Sequence, residues 1–225
     1  MDRVSLVAAA VCPHPPLIVP EIAAGAAPEL DDLRARCAAA VATLVDTRPD
    51  RLVIVGAGPT TRATRPGETY SFAGYGVPGA PGTLPLSLSV GAWLLAGSGQ
   101  PYAGQCVAVD ASPREAADLG ARLVAEGRVA LLVMGDGSAC RGVKAPGYDD
   151  PRAPGYDDGV AEALATADRR ALLGLEPGVA EELLVAGRPA WQVLAGADTG
   201  PVRGELTYYA APYGVAYFVA TWRRA

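Results

Sequence analysis

The sequence predicts an α/β fold: a central mixed, mostly parallel sheet with helices on both faces and a C-terminal antiparallel hairpin. Three observations carry that expectation. Short apolar runs alternate with segments of helical period along most of the chain. The strand-like runs are almost wholly apolar rather than alternating, as in strands covered on both faces. The last apolar stretch, 205–224, holds no helical segment between its two halves.

Each element has its own reason. "SLVAAAV" (5–11) reads as a buried strand, and Pro13, Pro15 and Pro16 stop it. A short signal-peptide core is the other reading of that run, but prolines follow it instead of a small-residue cleavage site. Residues 28–46 read as a helix, with Leu30, Leu33, Cys37, Val41 and Leu44 three and four apart on one face. "RLVIVGA" (51–57) is a second buried strand. From Pro59 to Pro85 the chain is rich in Gly, Pro and Thr and shows no period, so it reads as a long loop, a length often tied to function.

Residues 87–97 read as a helix and 105–110 as a third strand. Residues 112–126 make the clearest helix: Ser112 is a natural N-cap, Pro113 suits the first helical position, and Glu115 completes a capping box. "VALLVMGDG" (129–137) is a fourth strand ending in a turn. "APGYDD" occurs at 145–150 and again at 153–158, which reads as a local duplication in a loop. Two helical segments follow, 157–175 and 177–187. "AWQVLAGA" (190–197) reads as a fifth strand, and 205–224 as a hairpin bent at Pro212-Tyr213-Gly214.

Composition narrows the function. The 225 residues suffice for one sizeable domain, read as 1–225, with half the residues apolar and 19% charged. The net charge is −5, and lysine occurs once, at Lys144. Nucleic acid and anionic membrane are therefore not expected partners. No apolar stretch reaches the ~18 residues of a membrane span. The four cysteines (Cys12, Cys37, Cys106, Cys140) have no paired spacing, which fits reduced, buried thiols in a cytoplasmic protein.

In sheets of this class ligands bind beyond the carboxyl ends of the strands. The first such turn, Cys12-Pro13-His14-Pro15-Pro16, holds the only histidine of the chain. Flanking prolines aim its side chain, which suits a metal ligand; a capping or core histidine in a stiff turn is the other reading. "VGAGPTT" (55–61) echoes a dinucleotide loop, but Thr61 replaces the third glycine and Pro59 interrupts the turn. "MGDGSACR" (134–141) gathers Asp136, Ser138, Cys140 and Arg141. It is not a nucleophile elbow, because Asp136 stands where that motif needs glycine. A Ser138–His14–Asp triad and a soft metal site from Cys12, His14, Cys140 and Asp136 both stay open. Tyr208, Tyr209, Tyr213 and Tyr217 are expected to pack on one face or edge with hydroxyls toward water, or else to stack on an aromatic substrate.

Together, "CPHPPLIVPEI", "RLVIVGAGPTT", "LLVMGDGSACR", the helical segment 157–197 and "YYAAPYGVAYFVA" resemble, in family order, the class III extradiol ring-cleavage dioxygenases, specifically their catalytic B-subunit-like proteins. The resemblance covers most of the chain. It implies an Fe(II) site of two histidines and one carboxylate, a catechol-type substrate, and a further histidine as acid and base. His14 matches the first metal histidine. The second falls in "GAGPTT", which has none, and the acid/base histidine falls on Ala139. Glu181, Glu182 and Glu205 are the candidates for the carboxylate.

The expectation is therefore a dioxygenase-like protein without the standard iron chemistry. It retains Asp136 and Ser138 as candidate catalytic residues, His14 as metal residue, and a pocket near His14 for a small aromatic ligand. Fe(II) is the cofactor the resemblance implies, with Zn or no metal as the alternatives. A metal-dependent oxidoreductase or hydrolase with a rearranged site is the second reading, and a homo-oligomer stays open. Metal binding by this chain alone requires a carboxylate or thiol within about 5 Å of the His14 ring.

Overall fold

The computed structural model describes residues 5–197 and 200–224. Its strands are β1 (Ser5–Cys12), β2 (Arg51–Gly58), β3 (Arg62–Ala63), β4 (Ala103–Ala108), β5 (Arg128–Met134), β6 (Val202–Ala210) and β7 (Tyr217–Arg224). They form one sheet in the order β3-β4-β2-β5-β1-β7-β6. The central neighbours β4, β2, β5 and β1 run parallel. The C-terminal hairpin β6–β7 adds antiparallel on the β1 side, and β3 adds antiparallel on the β4 side. The sheet is thus mixed and mostly parallel at its centre, as the apolar runs predict.

Two cores flank it. The α-helices are α1 (Pro20–Ala23), α2 (Asp31–Asp46), α3 (Leu86–Leu95), α4 (Pro113–Leu123), α5 (Ala153–Thr166), α6 (Arg169–Leu173), α7 (Pro177–Glu182) and α8 (Arg188–Gly196). One core joins α2 and α3 to the sheet; the other gathers residues of α4 through α8. The β1 strand serves both: Leu6, Ala9 and Val11 join the α8 side, while Ala8, Ala10 and Cys12 join the α2 side. A register shift between Leu6 and Ala8 lets Val7 share the second face with Ala8.

Several expectations are met closely. In α2 the stripe Leu33, Cys37, Val41 and Leu44 is buried, with Leu30 just before the helix. The α4 capping box is complete: the Glu115 N–H donates to Ser112 Oγ, and the Ser112 N–H to Glu115 Oε2 at 2.9 Å. Residues 59–85 hold only β3 and a single 3-10 turn at Ala73–Tyr75. Strand ends shift by a few residues: the third strand lies at Ala103–Ala108, and the fourth stops at Met134, leaving Asp136 in its exit turn.

Three expectations are corrected. Residues 190–197 are not a strand; they lie in α8 up to Gly196. A short run that is apolar but for Gln192 fits a helix buried all round as well as a strand. Pro189 sits in the first helical turn, and every residue from Arg188 to Ala195 is buried. The helix also needs the close approach of α4, since a Cβ on Gly120 would collide with the Val193 carbonyl. Second, 157–175 is two helices, broken at Ala167 in the left-handed region (φ 55°), and the first starts at Ala153. Third, the second "APGYDD" is therefore no loop: it opens α5, with Pro154 in its first turn. The first copy stays irregular, with Tyr148 at φ 61° and 77% exposed, whereas its counterpart Tyr156 packs against the α8-side core.

Candidate functional site at the β1 and β5 exits

β1 and β5 are parallel neighbours, so their carboxyl-end turns lie side by side. The Gly135 N–H donates to the Cys12 carbonyl at 2.9 Å and carries the pairing one step past the strands. Glycine is needed at 135 because a Cβ there would stand 2.5 Å from Gly187 Cα and 2.8 Å from Trp191 Nε1. The next residue, Asp136, is held at both its backbone and its side chain. Its carbonyl accepts the Gly187 N–H at 2.8 Å, and its Oδ1 accepts the His14 backbone N–H at 2.7 Å.

The prolines around His14 thus present both its backbone N–H and its ring to one carboxylate. His14 Nδ1 lies 3.8 Å from Asp136 Oδ1, too far for a hydrogen bond, and side-chain exposure is only 10% and 14%. Nδ1 is buried with no hydrogen-bond partner among the described residues. Burial pushes the Asp136 carboxyl above its ordinary range, opposed by the neighbouring His14 ring and by the His14 backbone N–H. This pair meets the proximity condition for a metal ligand set, with a carboxylate well inside 5 Å.

Ser138 is two residues on but belongs to a different constellation. Its N–H donates to Asp157 Oδ1 at 2.9 Å, and its hydroxyl to Asp157 Oδ2 at 2.6 Å. Arg141 Nη1 adds a third bond to Oδ2 at 3.1 Å and also donates to the Tyr209 hydroxyl at 2.9 Å. Tyr209 passes its own proton toward Asp158 at 2.7 Å. Asp157 and Ser138 are both fully buried. The Ser138 hydroxyl therefore points its proton at a carboxylate on α5, not at His14, and no Ser138–His14 hydrogen bond forms. The latch ties the β5 exit to α5 and the hairpin. Sequence reasoning missed Asp157, since it sits in one of two identical hexapeptides and only the fold distinguishes them.

The cysteines separate. Cys12 joins the α2-side core beside Cys37, where its thiol holds the Cys37 pKa well up, reinforced by burial. Cys140 lies in the α8-side core, its thiol facing the carbonyls of Gly147 and Leu183. The set Cys12, His14, Cys140 and Asp136 does not converge. Among the candidate carboxylates, Glu182 pairs with Arg152 at 2.6 Å, and Glu181 lines a separate cleft. Glu205 lies on β6 opposite Thr221, level with Ala10 and not with the β1 exit. Ala139 is buried, its N–H bonded to the Leu183 carbonyl. Among the described residues no three His, Cys, Asp or Glu side chains come together as a metal site. A centre of two histidines and a carboxylate does not fit these residues.

The tyrosines also depart from expectation. Tyr209 stacks on Phe218 with centroids 5.0 Å apart, Tyr213 donates to Glu29 at 2.8 Å, and Tyr217 is buried. The hydroxyls of Tyr209 and Tyr213 are tied to carboxylates and do not simply face water.

No protein-family model matches the chain, and no curated protein matches it in sequence. Among solved structures it is similar to that of the uncharacterized protein JW3007 from Escherichia coli K12, with TM-score 0.60 and 16% identity over 96% of this chain and 99% of that one. At that identity the likeness speaks for a shared fold. Among the described residues no helix is long and apolar enough to cross a membrane.

Proposed function

We propose that this is a cytoplasmic, class III extradiol dioxygenase-like protein that binds a small aromatic, catechol-type ligand at the β1 and β5 exits without cleaving its ring. One observation supports the reading most: a buried, unpartnered imidazole nitrogen faces a carboxylate 3.8 Å away at adjacent strand ends, where such sheets bind ligands. A phenolic hydroxyl supplies a donor for such a nitrogen and a proton-sharing partner for Asp136. Ring cleavage needs Fe(II) held open on one side and a second acid/base. The described residues supply neither a third ligand nor an imidazole at Ala139.

The test is anaerobic titration of the protein with catechol, before and after incubation with Fe(II) or Zn(II), followed by oxygen-uptake measurement. The reading expects saturable catechol binding that falls at least about tenfold in His14→Ala, with no oxygen uptake. Stoichiometric iron with ring-opened product overturns it. Zn that binds stoichiometrically and is lost in His14→Ala would favour the second reading, a rearranged metal-dependent enzyme, because His14 and Asp136 already supply two donors.

A further inference from the structure

We propose that a second site, the cleft beside Arg188, binds a small monocarboxylate with an apolar body. The cleft measures about 440 Å³, within the range of small-ligand pockets. Its lining includes neither His14 nor Asp136; it lies between the turn after β4 and the α7–α8 segment.

Arg188 carries the argument. It lines the cleft yet is only 2% exposed. No carboxylate among the described residues lies within ion-pair distance of it. Its Nη1 donates to the Ala111 carbonyl and Gln192 Oε1, both at 2.8 Å, and Nη2 to the Val109 carbonyl at 2.7 Å. Those acceptors fix the guanidinium plane but bring no counter-charge. Nε makes no bond within the described residues, so donor capacity remains beside the cleft. Burial lowers the Arg188 pKa, and Asp110 across the cleft opposes this only from beyond ion-pair distance, so the cation is partly compensated and an anion bonded directly to it would stabilise it further. Arginine prefers a carboxylate, which can take two parallel N–H bonds.

The remaining lining sets the rest of the ligand. Val109 and Leu184 are 60% and 51% exposed, unusual for apolar side chains, and both border this cleft with Pro177 and Val185. They favour an apolar body. Asp110 and Glu181 stand exposed on the rim. These two carboxylates repel any anion, so a monocarboxylate is held only where it bonds Arg188 directly, and a second negative charge, with no cation left to pair it, is disfavoured further.

The experiment titrates the intact protein with benzoate, benzamide and phthalate, read by calorimetry or protein-observed NMR. Benzoate is expected to saturate below about 10 mM, with benzamide and phthalate at least about tenfold weaker. Gly178→Phe plugs the cleft, and a Cβ at Gly178 meets nothing within 4 Å, so the variant is expected to fold and to lose benzoate binding. Arg188→Met, if it folds, should weaken benzoate about tenfold and leave benzamide unchanged. His14→Ala should leave benzoate binding intact, which separates this site from the one at the β1 exit. The inference is overturned by absent saturation, by equal affinity for benzoate and benzamide, or by benzoate binding that survives Gly178→Phe.

Discussion

Asp136, within the β5 exit turn, and Asp157, which reaches that turn from α5, are two largely buried aspartates whose surroundings differ in kind. Asp157 accepts from the Ser138 N–H and hydroxyl and from Arg141, and is fully buried. Asp136 accepts a single backbone N–H, and the ring beside it stays unbonded. Burial raises both carboxyls, but only that of Asp157 is saturated by the fold. A buried polar group with every partner in place rigidifies a structure; one left short is available for a ligand. Ser138, the more nucleophile-like residue by type, spends its N–H and hydroxyl on Asp157, while the less conspicuous Asp136 keeps capacity open.

The comparison breaks most readily at Asp157. Asp157→Ala leaves Arg141 without its buried counter-charge and Ser138 without its acceptor, so urea unfolding should show a loss of about 3–5 kcal/mol. A loss below about 1 kcal/mol would mean that the latch holds nothing. Ser138→Ala removes one of those bonds and should cost about 1–3 kcal/mol, with catechol affinity unchanged. Loss of affinity with stability intact would reassign Ser138 to the ligand site. Asp136→Asn keeps an acceptor for the His14 N–H and relieves a buried charge. Its stability should stay within about 1 kcal/mol of the wild type, while catechol binding weakens.

The smallest effect is in acid. Because burial holds the Asp157 pKa above its ordinary value of 3.8, the folded state takes up that proton before the unfolded chain does. Stability from this group therefore rises as pH falls through the raised pKa and levels off below the ordinary one. Measured by denaturation at several pH values, the wild type should gain on Asp157→Asn over that window; a narrowing gap would contradict the assignment. Glu68 behaves oppositely. Its bonds to Arg62 and to the Arg65 N–H hold it down to about 2, so its tie to β3 persists in mild acid and weakens as pH drops from 4.5 toward 2.

Much of this was legible in the residues. Period and apolar runs predict the parallel centre, the capped α4 and the closing hairpin, because each depends on local pattern. The run at 190–197 was not, because a short segment that is apolar but for Gln192 fits a buried helix or a strand, and its helical state follows from packing against Gly120 of α4. His14 and Asp136 were readable as strand-exit residues, and their meeting follows from β1–β5 pairing. Asp157 and Arg188 were not readable. The first shares its hexapeptide with an irregular copy, and the second sits in "GRPAWQVLAG" with no motif to mark a buried charge.

The most direct test compares catechol binding in the anaerobic wild type, His14→Ala and Ser138→Ala by calorimetry. The account predicts saturable binding in the wild type and in Ser138→Ala, and a loss of at least about tenfold in His14→Ala. Equal binding in His14→Ala and the wild type, or loss in Ser138→Ala alone, would contradict it.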